Sequence, residues 1–151
     1  MFFLHETSTV NEEINLKTQV SVVDKVYPIL NVSAVTDLLT GRVNRYKKPR
    51  GRQLKDIVLH PLPISGNKGT DLQTGTLVIN TYAKNDVRTG IPDEVSLKAI
   101  AVAIITVLEA YSASSDYFSF NIISENFFSD ELDDAMTYDS IRINYTIEKG
   151  E

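Results

Sequence analysis

Residue types that do chemistry are thinly supplied in this chain. Its 151 residues include two histidines, His5 and His60, and no cysteine. Without Cys there is no disulfide framework, thiolate metal site, iron–sulfur cluster or cysteine nucleophile. Two His are too few for a multi-histidine metal centre. His60 stands beside Pro61 and near Pro63, where a solvent-facing edge histidine is the plain reading and a catalytic base the sharper one. Gly66-Asn67-Lys68-Gly69-Thr70 lacks the four-residue spacer of a phosphate-binding loop and reads as a connection between strands. There is no G-x-G-x-x-G and no G-x-S-x-G. Asp130, Glu131, Asp133 and Asp134 could attract a hard cation, but their spacing lacks the alternation and central Gly of a calcium loop. They read as a solvated acidic loop. The expectation is therefore a protein with no catalytic, cofactor-binding or metal-ligating residue, and not an enzyme.

Charge is the feature with more to say. The formal net charge is −5, but it is unevenly spread. Arg42, Arg45, Lys47, Lys48, Arg50, Arg52 and Lys55 place seven of the 15 basic residues within fourteen positions that contain no acid. From 99 to 141 there is no Lys or Arg, while Glu109, Asp116, Glu125, Asp130, Glu131, Asp133, Asp134 and Asp139 fall in that gap. Three readings of the basic segment stay open: a solvated loop, a docking surface for an acidic protein face, and a nucleic-acid contact. Nucleic acid is the least suited, because Tyr46 is the one aromatic available for stacking and the rest of the chain repels phosphate. For protein docking the chain carries its own complement. A protomer cationic at one end and anionic at the other can bind copies of itself head to tail, and such contacts close into rings when the rotation allows.

The elements that must position these charges can be read in order. Hydrophobic content of 42% and charged content of 23% are those of a globular domain, long enough to bury roughly two thirds of its unfolded surface. Residues 1–12 show no periodicity and are expected to form a flexible arm, with one α+β domain over 13–151. No apolar run reaches the roughly 20 residues that span a bilayer, and Met1-Phe2-Phe3-Leu4 lacks the basic leader of an export signal, so a cytoplasmic product is expected. Apolar spacing from Ile14 favours a helix ending near Pro28, although its valines also allow a strand, followed by a short helix over Ala34–Leu39 capped by Asn31 or Ser33. Strands are predicted at Leu54–Leu59 and Thr76–Ala83, the second central because both its faces are apolar. Ile64–Gly75 and Asn85–Pro92 read as loops. Asp93 suits the cap of a long helix over Glu94–Tyr111. Its run Ala99–Ile105 is apolar almost all round, which predicts burial on every side and a second covering layer, such as another subunit. Strands follow at Tyr117–Ile123 and Ser140–Ile147, separated by an acidic excursion over Asn126–Thr137. The architecture expected is α+β, a mixed or antiparallel sheet of four to five strands covered by one long helix, with smaller N-terminal helices.

Several segments resemble the tail-completion, or tail terminator, proteins of phages, of the type found in Bacteroidetes prophages. They are Leu38-Leu39-Thr40-Gly41-Arg42-Val43 with Tyr46-Lys47-Lys48-Pro49, then Asp56-Ile57-Val58-Leu59, Gly75–Tyr82 and the closing Ser140-Ile141-Arg142-Ile143-Asn144-Tyr145. The resemblance covers roughly residues 30–147. It implies a structural protein that forms a homo-oligomeric, hexameric ring on the finished tail tube and joins tail to head. The implied partners are other copies of itself, the tail tube protein and a head-completion protein, with no membrane or cofactor. The implied location is the virion neck, and the host cytoplasm during assembly. The N-terminal arm and the acidic 126–137 segment depart from the pattern, and a head-completion or neck connector role competes. The expected partner surface is Arg42, Arg45, Lys47, Lys48, Arg50, Arg52 and Lys55 on one side, with Asp130, Glu131, Asp133 and Asp134 on the other.

Overall fold

A computed structural model describes residues 19–62, 65–66 and 72–148. The expected arm, the expected helix start at Ile14 and most of the Gly66–Thr70 connection lie outside the described residues. Among the described residues, three helices and six strands occur in the order α1 (Gln19–Leu30), α2 (Ser33–Thr36), β1 (Val43–Arg45), β2 (Asp56–Pro61), β3 (Ser65–Gly66), β4 (Leu72–Lys84), α3 (Glu94–Ser114), β5 (Phe118–Ser129) and β6 (Met136–Glu148). The strands form one mixed sheet in the order β1-β2-β4-β6-β5, with β3 paired to β4 off that path. β1 runs parallel to β2, and every other pairing is antiparallel. The expected α+β class holds.

Side-chain alternation places the core. Leu77 and Ile79 of β4 pair with Ile143 and Ile141 of β6, and all four are fully buried on the helix side of the sheet. Ile57 and Leu59 of β2 extend the same face. Val22, Val23, Val26 and Leu30 from α1 and Ile100, Ile104 and Leu108 from α3 close over it. Each large aliphatic side chain buried this way contributes about 1.5–3 kcal/mol. Gly75 of β4 lies directly opposite Tyr145 of β6. The Tyr145 ring occupies the space that a Cβ at Gly75 would need, so glycine there makes room for an aromatic on the neighbouring strand. Burial pushes the Tyr145 hydroxyl up to about 12.

The helices keep their predicted places with altered ends. α1 passes through Pro28 and stops at Leu30. A proline so close to the end removes one hydrogen bond, while buried Leu30 and the Asn31 N–H donated to the Tyr27 carbonyl (2.9 Å) hold the last turn. α2 is shorter than expected. Its cap position is Val32, with no side-chain cap, and buried Val35 anchors it instead. Asp93 does cap α3, accepting from the Ser96 N–H at 3.1 Å, and the helix runs three residues past Tyr111.

Three expectations are corrected. α3 is not buried on every side. Leu97, Ile100, Ala101, Ile104 and Leu108 are buried, whereas Val95 is 83% and Val102 54% exposed, so among the described residues no second layer covers its outer face. By length and composition α3 is apolar enough to cross a membrane, but here it lies along a sheet with one face packed. The Ile64–Gly75 loop is interrupted, because Ser65 and Gly66 pair with Thr74 and Gln73 and β4 already begins at Leu72. The acidic excursion over Asn126–Thr137 is mostly strand. β5 continues to Ser129, β6 starts at Met136, and Asp130–Ala135 is only the turn between them. A register shift between Ile122 and Ser124 changes which residues face the core, so the alternation that marks Phe118, Phe120 and Ile122 breaks off and hides the second half of the strand.

Candidate functional site

The basic segment is the crossover between the parallel strands β1 and β2. A parallel pair cannot be joined by a tight hairpin, so the chain must leave β1, travel and return to the same end. It turns off β1 at Tyr46, whose φ of 70° is left-handed, with the Lys47 N–H donated back to the Arg45 carbonyl at 2.7 Å. A left-handed side-chain-bearing residue costs about 1–2 kcal/mol. The crossover is closed by Asp56 at the start of β2. Its carboxylate is fully buried. It accepts from the Arg42 N–H at 2.8 Å, from Asn44 Nδ2 at 3.3 Å, and from Arg52 Nη2 and Nε at 2.6 and 3.2 Å. The charge is thus paired and hydrogen-bonded, the condition under which burial is tolerated. Gly41 fits the same knot, since a Cβ there would run into the Asp56 carboxylate.

From that base the crossover folds over the sheet face opposite the helices. Lys48 Nζ sits 4.9 Å from the Tyr82 ring centre, donates to the Arg52 carbonyl at 3.0 Å and lies 3.8 Å from Asp130 Oδ2 in the β5–β6 turn. Both side chains of that pair are about one-eighth exposed, at 13% and 12%. Gln53 Nε2 donates to Asp133 Oδ2 at 2.9 Å. That bond, the Ala135 N–H and the nearby Lys48 and Lys84 hold the Asp133 carboxyl below its usual range. Tyr82, Tyr138 and Phe128 stack beneath, with ring centres 5.0 and 5.4 Å apart, and burial with the Asp130 charge pushes the Tyr82 hydroxyl up to about 12.

This corrects the expectation of a protomer with its cationic and anionic stretches at separate ends. The two stretches touch within one molecule. Arg45 pairs with Asp24 and lies over the Tyr27 ring of α1. Arg52 is taken by Asp56 and Lys48 by Asp130. What remains is smaller: Arg42, Lys47 and Arg50 are exposed and Lys55 half-buried, none of them in an ion pair with a described carboxylate. On the acidic side Glu131 and Asp134 are exposed. His60 is exposed near the end of β2. Among the described residues no three His, Cys, Asp or Glu side chains gather as a metal site.

Two features went unread in the sequence. The first is the outer edge of the sheet. β5 is an edge strand twelve residues long, and Ile122, Ile123, Phe127 and Phe128 along it are 42–50% exposed. The adjacent Phe127-Phe128 and the turn-forming Asp130–Asp134 were the available signal. The second is Asp139. In the sequence it is one more member of the acidic gap, but on β6 it is fully buried, opposite Thr81 and Phe127. Neither carboxyl oxygen finds a hydrogen-bond donor, and Thr81 Oγ1 is also unpartnered. Burial first, and then the Glu125 carboxyl beside it, push Asp139 up to about 8. It carries a proton in the fold near neutral pH.

A groove of about 600 Å³ runs between α1 and α3, walled by Pro28, Ile29, Val107, Ala110 and Tyr111 with Asp24 and Lys25 at its rim. A second, about 500 Å³, lies where β4 hands over to α3, between Lys84, Asp86, Thr89, Pro92 and Glu94.

No protein-family model matches the sequence, and no curated protein does. Among solved structures, the fold is similar to a chain described as the virion of a native gene transfer agent (GTA) particle. The TM-score is 0.59 at 14% sequence identity, with 82% of this chain and 91% of that chain covered. At that identity the likeness is one of fold.

Proposed function

We propose that this protein is a structural component of a phage or phage-like virion, and that it acts at the neck as a tail terminator. In this reading several copies close into a ring on the end of the tail tube, stop its growth and present the surface that meets the head. The observation that carries the reading is the fold likeness to a virion chain, extending over 91% of that chain. The sequence resemblance of Leu38–Val43 with Tyr46–Pro49, of Asp56–Leu59, of Gly75–Tyr82 and of Ser140–Tyr145 to tail-completion proteins supports the finer assignment. So does the surface, which among the described residues leaves an apolar helix face uncovered and a long sheet edge unpaired.

The work asked of such a protein is binding alone. Exposed ion pairs supply about 0–1 kcal/mol each, so the affinity of the assembly must come from apolar contact, with charge setting orientation and rate. The test is to polymerise a phage tail tube protein with and without this chain, and to measure tube lengths by negative-stain microscopy. Shortened tubes with extra density at one end are the expected result. Unchanged lengths with bare ends overturn the terminator role. Attachment to the head connector with no effect on tubes reassigns the protein to head completion.

A further inference from the structure

The β5 edge and the crossover that leaves β1 differ in chemistry. The β5 edge is long, carries only Glu125 as a charge within the strand, and exposes Ile122, Ile123 and Phe127. Natural edge strands of this length are normally blunted by charge, shortness or a covering element, because their outward N–H and C=O groups invite another chain. Here the one device present is the bulge at Ile122–Ser124. From the β1 edge, the crossover that folds over the sheet face exposes Tyr46 and Leu54, with Leu38 just before β1, at 36–40%, along a stretch that also carries exposed Arg42, Lys47 and Arg50.

We propose that the β5 edge of one copy docks on the crossover edge of a second copy, head to tail, with Ile122, Ile123 and Phe127 set against Tyr46 and Leu54. The acids on and just beyond β5, Glu125 and Glu131, then meet the cations that intramolecular pairing leaves over. Charge selects this arrangement over a two-fold contact of β5 with β5. β5 carries Glu125 and no cation, and Glu131 follows it, so two β5 strands paired with each other bring acids together with no base of their own, which is destabilising. A heterologous contact does not exhaust itself in a pair. It continues until it closes into a ring. The inference deepens the neck-ring reading and rests on it for its biological setting.

The experiment uses the full-length chain and two variants, checked for folding by circular dichroism and melting temperature. One carries Ile123→Lys with Phe127→Lys, the other Arg42→Glu, Lys47→Glu and Arg50→Glu. Masses are measured by light scattering across concentration at low salt. The parent is expected to pass beyond twice the protomer mass, and each variant alone to stay at the protomer mass. An equimolar mixture of the two should stop at twice that mass, because each supplies the surface the other lacks. A parent that stays single at every concentration overturns the proposal, as does a mixture that does not pair. A parent that stops at a pair, untouched by the Arg42, Lys47 and Arg50 changes, assigns the edge to the two-fold contact instead. Assembly that follows the expected pattern while tube growth is unaffected keeps this surface and removes the neck role. Capped tubes with no assembly in any sample keep the role and remove the surface.

Discussion

At one edge of the sheet β1 is three residues long, backed by α1 and tied down through Arg45 to Asp24 and through the Asp56 knot. At the other edge β5 is twelve residues long and exposed along most of its length. Both edges must deal with unpaired backbone. The first is short, and three of the seven cations in its segment, Arg45, Lys48 and Arg52, are tied to carboxylates inside the molecule. The second leaves its apolar side chains and backbone groups outward. The lesson is that a dense charge run is not by itself a docking surface. Where it serves a crossover, part of it is bound within the same chain, and only the charges left over are available to a second protein.

Substitutions can break this contrast or sharpen it. The largest effect is expected at the pinned edge. Asp56→Ala strands the Arg42 N–H and leaves Arg52 without its partner, while Asn44 Nδ2 keeps the Arg42 and Ile57 carbonyls; at about 1.5–3 kcal/mol per hydrogen bond to a charged group this should cost about 3–5 kcal/mol, read by urea denaturation. If the loss is below about 1 kcal/mol, the ordinary net worth of one hydrogen bond, the knot does not hold the crossover. Next comes the core strand beside the free edge. Ile141→Ala should cost about 2–5 kcal/mol as a cavity in the sheet–helix core, whereas Phe127→Thr, on the strand next to it, should stay within about 0.5 kcal/mol. Equal losses at the two positions would show that β5 is part of the core and not a contact face.

Asp139 sits between the two regimes, and its effect depends on pH. It is an acid raised above its unfolded value, so the folded state holds the proton more tightly than the unfolded chain. The stability it contributes is complete below about pH 4 and is lost as pH rises toward about 8, after which it levels. Asp139→Asn keeps the shape of the protonated acid and should flatten this slope. The variant should match the parent near pH 4 and exceed it at pH 8 by at least about 1.4 kcal/mol, the free energy of a tenfold change in proton affinity. Parallel melting-temperature curves for the two proteins would show that Asp139 does not titrate in this way. The smallest effect is expected where the two regions touch. Lys48→Ala removes the contact with Asp130 and the Tyr82 ring and should cost about 1 kcal/mol, with a modest sensitivity to salt in the parent that the Ala variant lacks.

Residue pattern alone reveals the strands that alternate and the helix that is capped. Ile141, Ile143, Tyr145 and Ile147 announce β6 by period two, and Asp93 announces α3 by its cap. Local pattern misleads where it is interrupted. The bulge at Ile122–Ser124 shifts the alternation of β5 by one residue, and Phe127 and Phe128, apolar but next to acids, then pass for part of a loop. Val95, Val102 and their apolar neighbours on the outer face of α3 predict a covering layer that the described residues do not supply. Composition cannot distinguish a covered face from one left open for a partner.

By itself, then, the sequence settled the α+β class, the central place of β4, the capped start of α3 and the two charge-segregated stretches, because these depend on periodicity, propensity and residue type within a few positions. Only the tertiary structure decided that Lys48 reaches Asp130, that Arg52 belongs to Asp56, that Asp139 is buried beside Glu125, and that β5 is the outermost strand among the described residues. Each of those joins residues separated along the chain, or depends on which strand lies beside which. Coulomb attraction and burial act through distance in space, and sequence separation does not measure it.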